Sequence, residues 1–281
     1  MSVDNVVSWF YPMDTLFTFK DQHSIIEVSY IHGLWGLSMA ILITLLMVIS
    51  YFAIVLAIIP VLLKVFFRVP NEIVRKLQHI GFASSVFFFS ERGHLWWEIV
   101  YMLVLFGSVI FFMMWAIEKT PRYKQMFVDR RKKGGEMKLS LGMAIVTFVL
   151  LFALFGGILP NAEYSFVVIA VMSWGIGDAV AALFGKYLGR KKLHAPGLDP
   201  NKTWFGSVSM ALSVAVVVFF MVLFYALEPW WVALISAILI AITATTIEAY
   251  SKKGIDTMSI PLGVATILYA LHWIFILVLG A

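Results

Sequence analysis

Apolar runs of about twenty residues recur along most of this chain, and that length is what one helix needs to cross a bilayer. They fall at about 34–63, 74–90, 95–117, 139–159, 164–185, 204–227, 230–250 and 258–280. Inside lipid every backbone N–H and C=O must be satisfied within the protein, so such runs fold as helices. The expectation is an all-α polytopic membrane bundle of about eight transmembrane helices. Only 13% of residues are charged and 62% are hydrophobic, whereas soluble domains carry about 25% charge. Residues 34–281 read as one integral membrane domain. Residues 1–33 read as an interfacial segment, with Trp9, Phe10, Tyr11, Phe17 and Phe19 among scattered acids and no cleaved signal peptide expected. Pro60 should kink or end the first run. The second run begins "NEIVRKLQHIGFASSVFFF", whose charged first half leaves it expected to lie only partly in lipid.

The connections between the runs divide sharply by charge. All Lys and Arg except Lys20 and Arg92 follow the first, third, fifth or seventh run, out of 21 in the chain. Cytoplasmic loops carry that excess, which places four basic loops in the cytoplasm and both termini outside. The basic loops account for a pI near 9.3, so no nucleic-acid partner is expected. The run "DRRKKGG" at 129–135 suits anionic lipid headgroups. With no cysteine in the chain, disulfides, thiolate metal sites and cysteine nucleophiles are excluded.

Four polar motifs interrupt the apolar pattern, all on the basic side. Asp178 lies within the fifth run, in "WGIGDAVAALFGKYLGRKKL", where an acid costs about 3 kcal/mol and needs a partner or a function. Gly185 and Gly189 have the small-xxx-small spacing that lets helices approach closely. "DPNKTWFGS", residues 199–207, puts Lys202, Thr203 and Ser207 at a helix start, where free N–H groups suit phosphate. The glycine spacing of a Walker A loop is missing. "TTIEAYSKKGIDTMSIPL" holds Glu248 and Asp256, hard oxygen ligands of the type that Mg²⁺ takes beside substrate phosphates. Alternatively, Glu248 pairs with Lys252 one turn on. In "RKLQHIG", Arg75 and His79 share a helix face beside Lys76. Arg fits phosphate through its planar fork, and His is the commonest general acid or base.

"RKLQHIG", "GDAVAALFGKYLGRKK", "NKTWFGS" and Glu248 with "DTMSIPL" come in the order of the dolichol and phytol kinase family, which the chain resembles over about residues 70–265. That family comprises membrane-embedded, CTP-dependent kinases of lipid alcohols, diacylglycerol among them. The central stretch is also similar to phosphatidate cytidylyltransferases. Those enzymes continue into a His-Gly-Gly segment and an Asp-Arg pair that this chain lacks. Phe205 stands where the family commonly has Glu, and Thr257 where it has Asn. The resemblance implies Mg²⁺ on Asp178, with Asp256 or Glu248 as second ligand. It implies phosphate binding by Lys202, Thr203, Ser207, Lys186 and Arg190, with Arg75 and Lys76 neutralising the transferring group. His79 or Asp256 would be the base. The implied reaction is γ-phosphoryl transfer from CTP, or ATP, to a polyprenol, phytol-like alcohol or diacylglycerol at the cytoplasmic face. Two alternatives use the same residues: a CTP-dependent phosphatidate cytidylyltransferase, and a transporter that binds a coupling ion at Asp178 and Glu248.

Overall fold

The computed structural model describes residues 42–44, 46–92, 95–118, 136–194, 196–251 and 255–279. The segment 1–33 and the basic run 129–135 lie outside these. Among the described residues the chain is helical, with one isolated bridge between Lys192 and Thr203 and no strand. The helices are α1 (Leu42–Val65), α2 (Asn71–Ser84), α3 (Val86–Arg92), α4 (Trp96–Glu118), α5 (Glu136–Ala153), α6 (Tyr164–Tyr187), α7 (Trp204–Phe224), α8 (Trp230–Tyr250) and α9 (Asp256–Leu279). Two π-helical stretches interrupt the regular winding, Ala53–Ile58 ahead of Pro60 in α1 and Leu154–Ile158 at the end of α5.

Seven of these helices are long and apolar enough to cross a membrane. The expected span 74–90 is the exception. It is formed by α2, of 14 residues, and α3, of 7 residues. The break falls at Ser84 and Ser85, whose hydroxyls donate back to the carbonyls of Ile80 and Phe82 at 2.9 and 2.7 Å. Such local bonds compete with the helix ladder. The first turns of α2 carry Glu72, Arg75 and Lys76, so the polar part of the segment is its N-terminal half.

α6 is the axis of the bundle. In its most apolar 18-residue stretch 67% is buried inside the protein, against 33% in the corresponding stretches of α4, α5, α7 and α9. Residues Val167 to Val171 are at most 1% exposed. A helix that is apolar all round fits either lipid or a protein interior, and α6 takes the interior, packed against α2, α7 and α9. The outer helices instead show large apolar side chains such as Leu212, Phe220 and Leu277 on their free faces, as lipid contact requires. Trp97, Trp204 and Trp230 stand exposed at the starts of α4, α7 and α8, the residue type enriched at membrane interfaces.

The approach of α6 to α7 is set by glycines. A Cβ on Gly206 would lie 3.0 Å from the Ala181 carbonyl oxygen and 3.3 Å from the Gly185 Cα. These are backbone atoms that cannot swing away. Close approach there brings the end of α6 against the start of α7, and both carry polar residues.

Candidate active site

Five helix ends meet at one end of the bundle and bring six charged or titratable side chains together. Asp178 sits on α6, in a helix surrounded by protein. Lys76 of α2 reaches it across 102 residues of sequence, with Nζ 2.6 Å from Asp178 Oδ2. His79, one turn further along α2, places Nε2 3.3 Å from the same oxygen. Lys76 and Asp178 are both mostly buried, so each charge depends on the other. The His79 ring meets Trp174 edge to face, with centroids 4.3 Å apart. Trp174 lies one turn before Asp178 and fixes the wall behind the imidazole.

The second pair joins α7 to α8. Lys202 Nζ donates to Glu248 Oε1, and the Glu248 side chain is 4% exposed. Lys202 is positioned by the 191–203 loop, which folds onto itself. Leu193 N donates to Lys202 O, and Trp204 N to Lys191 O, both at 3.0 Å. Asp199 N donates to Ala249 O at 3.1 Å, which pins the loop to the end of α8. Burial works against the Lys202 charge, but the Glu248 carboxylate, joined by Asp256 and Asp178, outweighs it and holds the ammonium above its ordinary range. Asp256, at the start of α9, lies within electrostatic reach of Asp178, Lys202 and Lys76. Its Oδ1 accepts from Thr257 N at 2.9 Å.

Lys76, His79, Asp178, Lys202, Glu248 and Asp256 are thus one cluster, assembled from residues of all four sequence motifs. The remaining expected residues are placed differently. Arg75 pairs with Glu72 at 2.5 Å, while its charge is still felt by His79. Lys186 reaches the same Glu72 at 3.5 Å and is 56% exposed. Arg190 is exposed beyond the end of α6. Thr203 caps α7, its Oγ1 accepting from Gly206 N at 3.1 Å. With Trp204 N also bonded, the start of α7 offers fewer free N–H groups than its sequence suggests. Ser207 Oγ is buried without a hydrogen-bond partner. Glu248 takes a lysine from another helix as its partner. Glu72 and Trp174 were not singled out in the sequence. The (i, i+3) spacing of Glu72 to Arg75 was a usable signal, whereas nothing local marks Trp174.

Three carboxylates face two ammonium groups here, so the cluster carries surplus acid. Glu248 Oε2 is buried and unpartnered. Among the described residues no three His, Cys, Asp or Glu side chains form a complete metal cage. Hard oxygens, one or two at a time, nevertheless fit Mg²⁺, which completes its shell with water and phosphate oxygens. A triphosphate would be repelled by these acids unless such a cation accompanied it. The donor set therefore fits a metal–nucleotide complex.

The cytidylyltransferase family profile matches residues 28–246, starting earlier in the chain than the sequence motifs do. A phytol kinase from Synechocystis sp. (strain ATCC 27184 / PCC 6803 / Kazusa) is 30% identical over 208 residues, covering 72% of this chain and 80% of the relative. No solved structure matches. Motifs, helical membrane fold and these matches agree: the chain belongs to the cytidylyltransferase family, within its phytol and dolichol kinase branch.

Proposed function

We propose that the protein transfers the γ-phosphoryl group of CTP, with ATP as the alternative donor, to the hydroxyl of a membrane lipid alcohol. The carrying observation is the joining of the Lys76–Asp178–His79 group to the Lys202–Glu248 pair, with Asp256 beside both. Phosphoryl transfer needs little covalent help from a protein; it needs positioning and charge neutralisation. In this reading Asp178, with Asp256 or Glu248, holds Mg²⁺, which when bound offsets the triphosphate charge. Lys202 and Lys76 exchange part of their carboxylate contact for phosphate oxygens. Ser207, Lys186 and Arg190 contribute further donors from the same end of the bundle. The alcohol oxygen forms a bond to the γ-phosphorus as the bond from that phosphorus to the β-bridging oxygen breaks. The hydroxyl proton passes to His79 Nε2 or to the Asp256 carboxylate, and CDP leaves. The similarity to a protein named phytol kinase supports an isoprenoid alcohol as acceptor. The basic loops support a cytoplasmic site.

The deciding experiment uses purified protein in detergent with Mg²⁺, isoprenoid alcohols, diacylglycerol and phosphatidate, and CTP labelled at the α or γ phosphorus. Label from the γ position in an alcohol establishes the kinase. Label from the α position in phosphatidate establishes a cytidylyltransferase and refutes the proposal. Transfer of neither label from CTP, followed by failure with ATP, also refutes it and favours ion-coupled transport.

A further inference from the structure

A cleft of about 500 Å³ opens where the end of α8 meets the start of α9. It is separate from the charged cluster but only one helical turn from two of its acids. Gly197, Ile247, Tyr250, Ser251, Ile255 and Ser259 line it. Its mouth lies on the outer flank of the bundle, where Tyr250 and Ile255 are 54% and 55% exposed. Gly197 forms the rim with φ of +89°, and a Cβ there would lie 3.4 Å from the Tyr250 ring. A larger residue would be strained and would crowd the opening.

The floor of the cleft is polar in a specific way. Ser251 Oγ donates to the Ile247 carbonyl at 2.7 Å. Ser259 Oγ donates to the Ile255 carbonyl at 3.0 Å. The two oxygens also face each other at 3.0 Å. Two hydroxyl protons thus serve three contacts. With both protons on helix carbonyls, the facing oxygens offer only lone pairs, and an incoming O–H can donate to them. If one serine turns to its neighbour, a helix carbonyl is left to accept instead. A hydroxyl group, both donor and acceptor, completes the set in either arrangement. Ser251 is three residues beyond Glu248, and Ser259 three residues beyond Asp256, the spacing of neighbours on one helix face.

We infer that this cleft is the acceptor site, seating the hydroxyl of the lipid alcohol on Ser251 and Ser259 with its apolar chain running out past Ile247, Tyr250 and Ile255. The identity of the occupant rests on the kinase reading. Ser251 and Ser259 are positioning residues. The alcohol rests its O–H on them beside Asp256 on the first turns of α9, turns it to the Asp256 carboxylate when the proton is given up, and keeps its lone pairs for phosphorus. The volume falls within the usual range of small-molecule sites and admits the head and first carbons of a long alcohol, with the rest in lipid.

The test is photolabelling of the full chain in lipid nanodiscs, without nucleotide. One probe is an isoprenoid alcohol bearing a diazirine near its hydroxyl; the other is the matched hydrocarbon lacking the hydroxyl. The expected adducts from the alcohol fall on Ile247, Tyr250 or Ile255, and the hydrocarbon labels these about tenfold less, the worth of one good hydrogen-bonding group. Ile255→Trp fills an exposed part of the cleft, and Ser259→Ala removes half of the floor. Each should lower labelling about tenfold and raise the KM for the alcohol about tenfold, with the KM for CTP unchanged. Adducts elsewhere, or equal labelling by the hydrocarbon, overturn the site. Labelling in the cleft without any phosphoryl transfer sinks the kinase reading and leaves the alcohol site standing.

Discussion

Replacing Asp178 by Asn removes the counter-charge that Lys76 holds at 2.6 Å while changing the side-chain volume little. Lys76 is 5% exposed, so its ammonium is left buried with Asp256 as the remaining acid within reach. Breaking a buried pair by removing one partner costs about 3–5 kcal/mol, and the presence of Asp256 argues for the lower end, about 3 kcal/mol. At roughly 2–4 °C per kcal/mol for a chain of this size, the unfolding midpoint in detergent should fall by roughly 6–12 °C. Lys76→Met alone strands Asp178 and should cost a similar amount. The double variant removes both charges and should recover much of that loss, a coupling of about 1–3 kcal/mol. All three variants should lose phosphoryl transfer. The double variant is the informative one, because it separates folding from chemistry: near-wild-type unfolding with no turnover. An Asp178→Asn protein that melts with the wild type would refute the pairing. Full turnover in any of the three would refute the catalytic role.

Lys202→Met should destabilise the protein and abolish transfer by stranding Glu248. Because the Lys202 ammonium is held above its ordinary range, its contribution is complete at neutral pH and up to the unfolded value of about 10.4, and fades as pH rises through the folded value. Unfolding midpoints followed from neutral to alkaline pH should therefore show an alkaline loss in the wild type that is smaller in Lys202→Met. Gly206→Ala forces a Cβ against backbone of α6 and should cost about 1–3 kcal/mol. Gly142→Ala in α5, where nothing lies within 4 Å of the added Cβ, should stabilise by about 0.5–1 kcal/mol. Thermal unfolding of the two variants side by side tests the close helix approach. Lys186→Ala breaks only an exposed pair with Glu72, so the midpoint should move by less than about 1 kcal/mol, while the KM for CTP rises if this lysine holds phosphate.

The lipid-spanning part of the fold was legible because it depends on a local quantity, the length of an apolar run. α4 to α9 each fall within a few residues of the run that specifies them. The 74–90 segment was legible as a run with a charged first half that lies only partly in lipid, but its break into two helices at Ser84 and Ser85 was not. The candidate site was legible as residue types and as four motifs that come together. Its pairing was not. Helical period groups Arg75 with His79, yet the side chains that meet Asp178 are Lys76 and His79, because α6 lies against that face of α2 and Arg75 pairs with Glu72. The choice of Lys202 over Lys252 for Glu248 is likewise made by the 191–203 loop folding back onto α8. Interactions between residues 46 or 102 positions apart leave no trace in a periodicity.

The enclosure of α6 has one more consequence. Hydrophobic mismatch acts on a protein through the helices that touch acyl chains, which tilt or shift to match the local thickness. α6 touches little lipid, so Asp178 takes its depth from the surrounding protein. Membranes of different thickness can lean the outer helices while the carboxylate keeps its height relative to Lys76 and Asp256. The burial that makes an acid costly in this chain also gives its chemistry a fixed datum, independent of the bilayer around it.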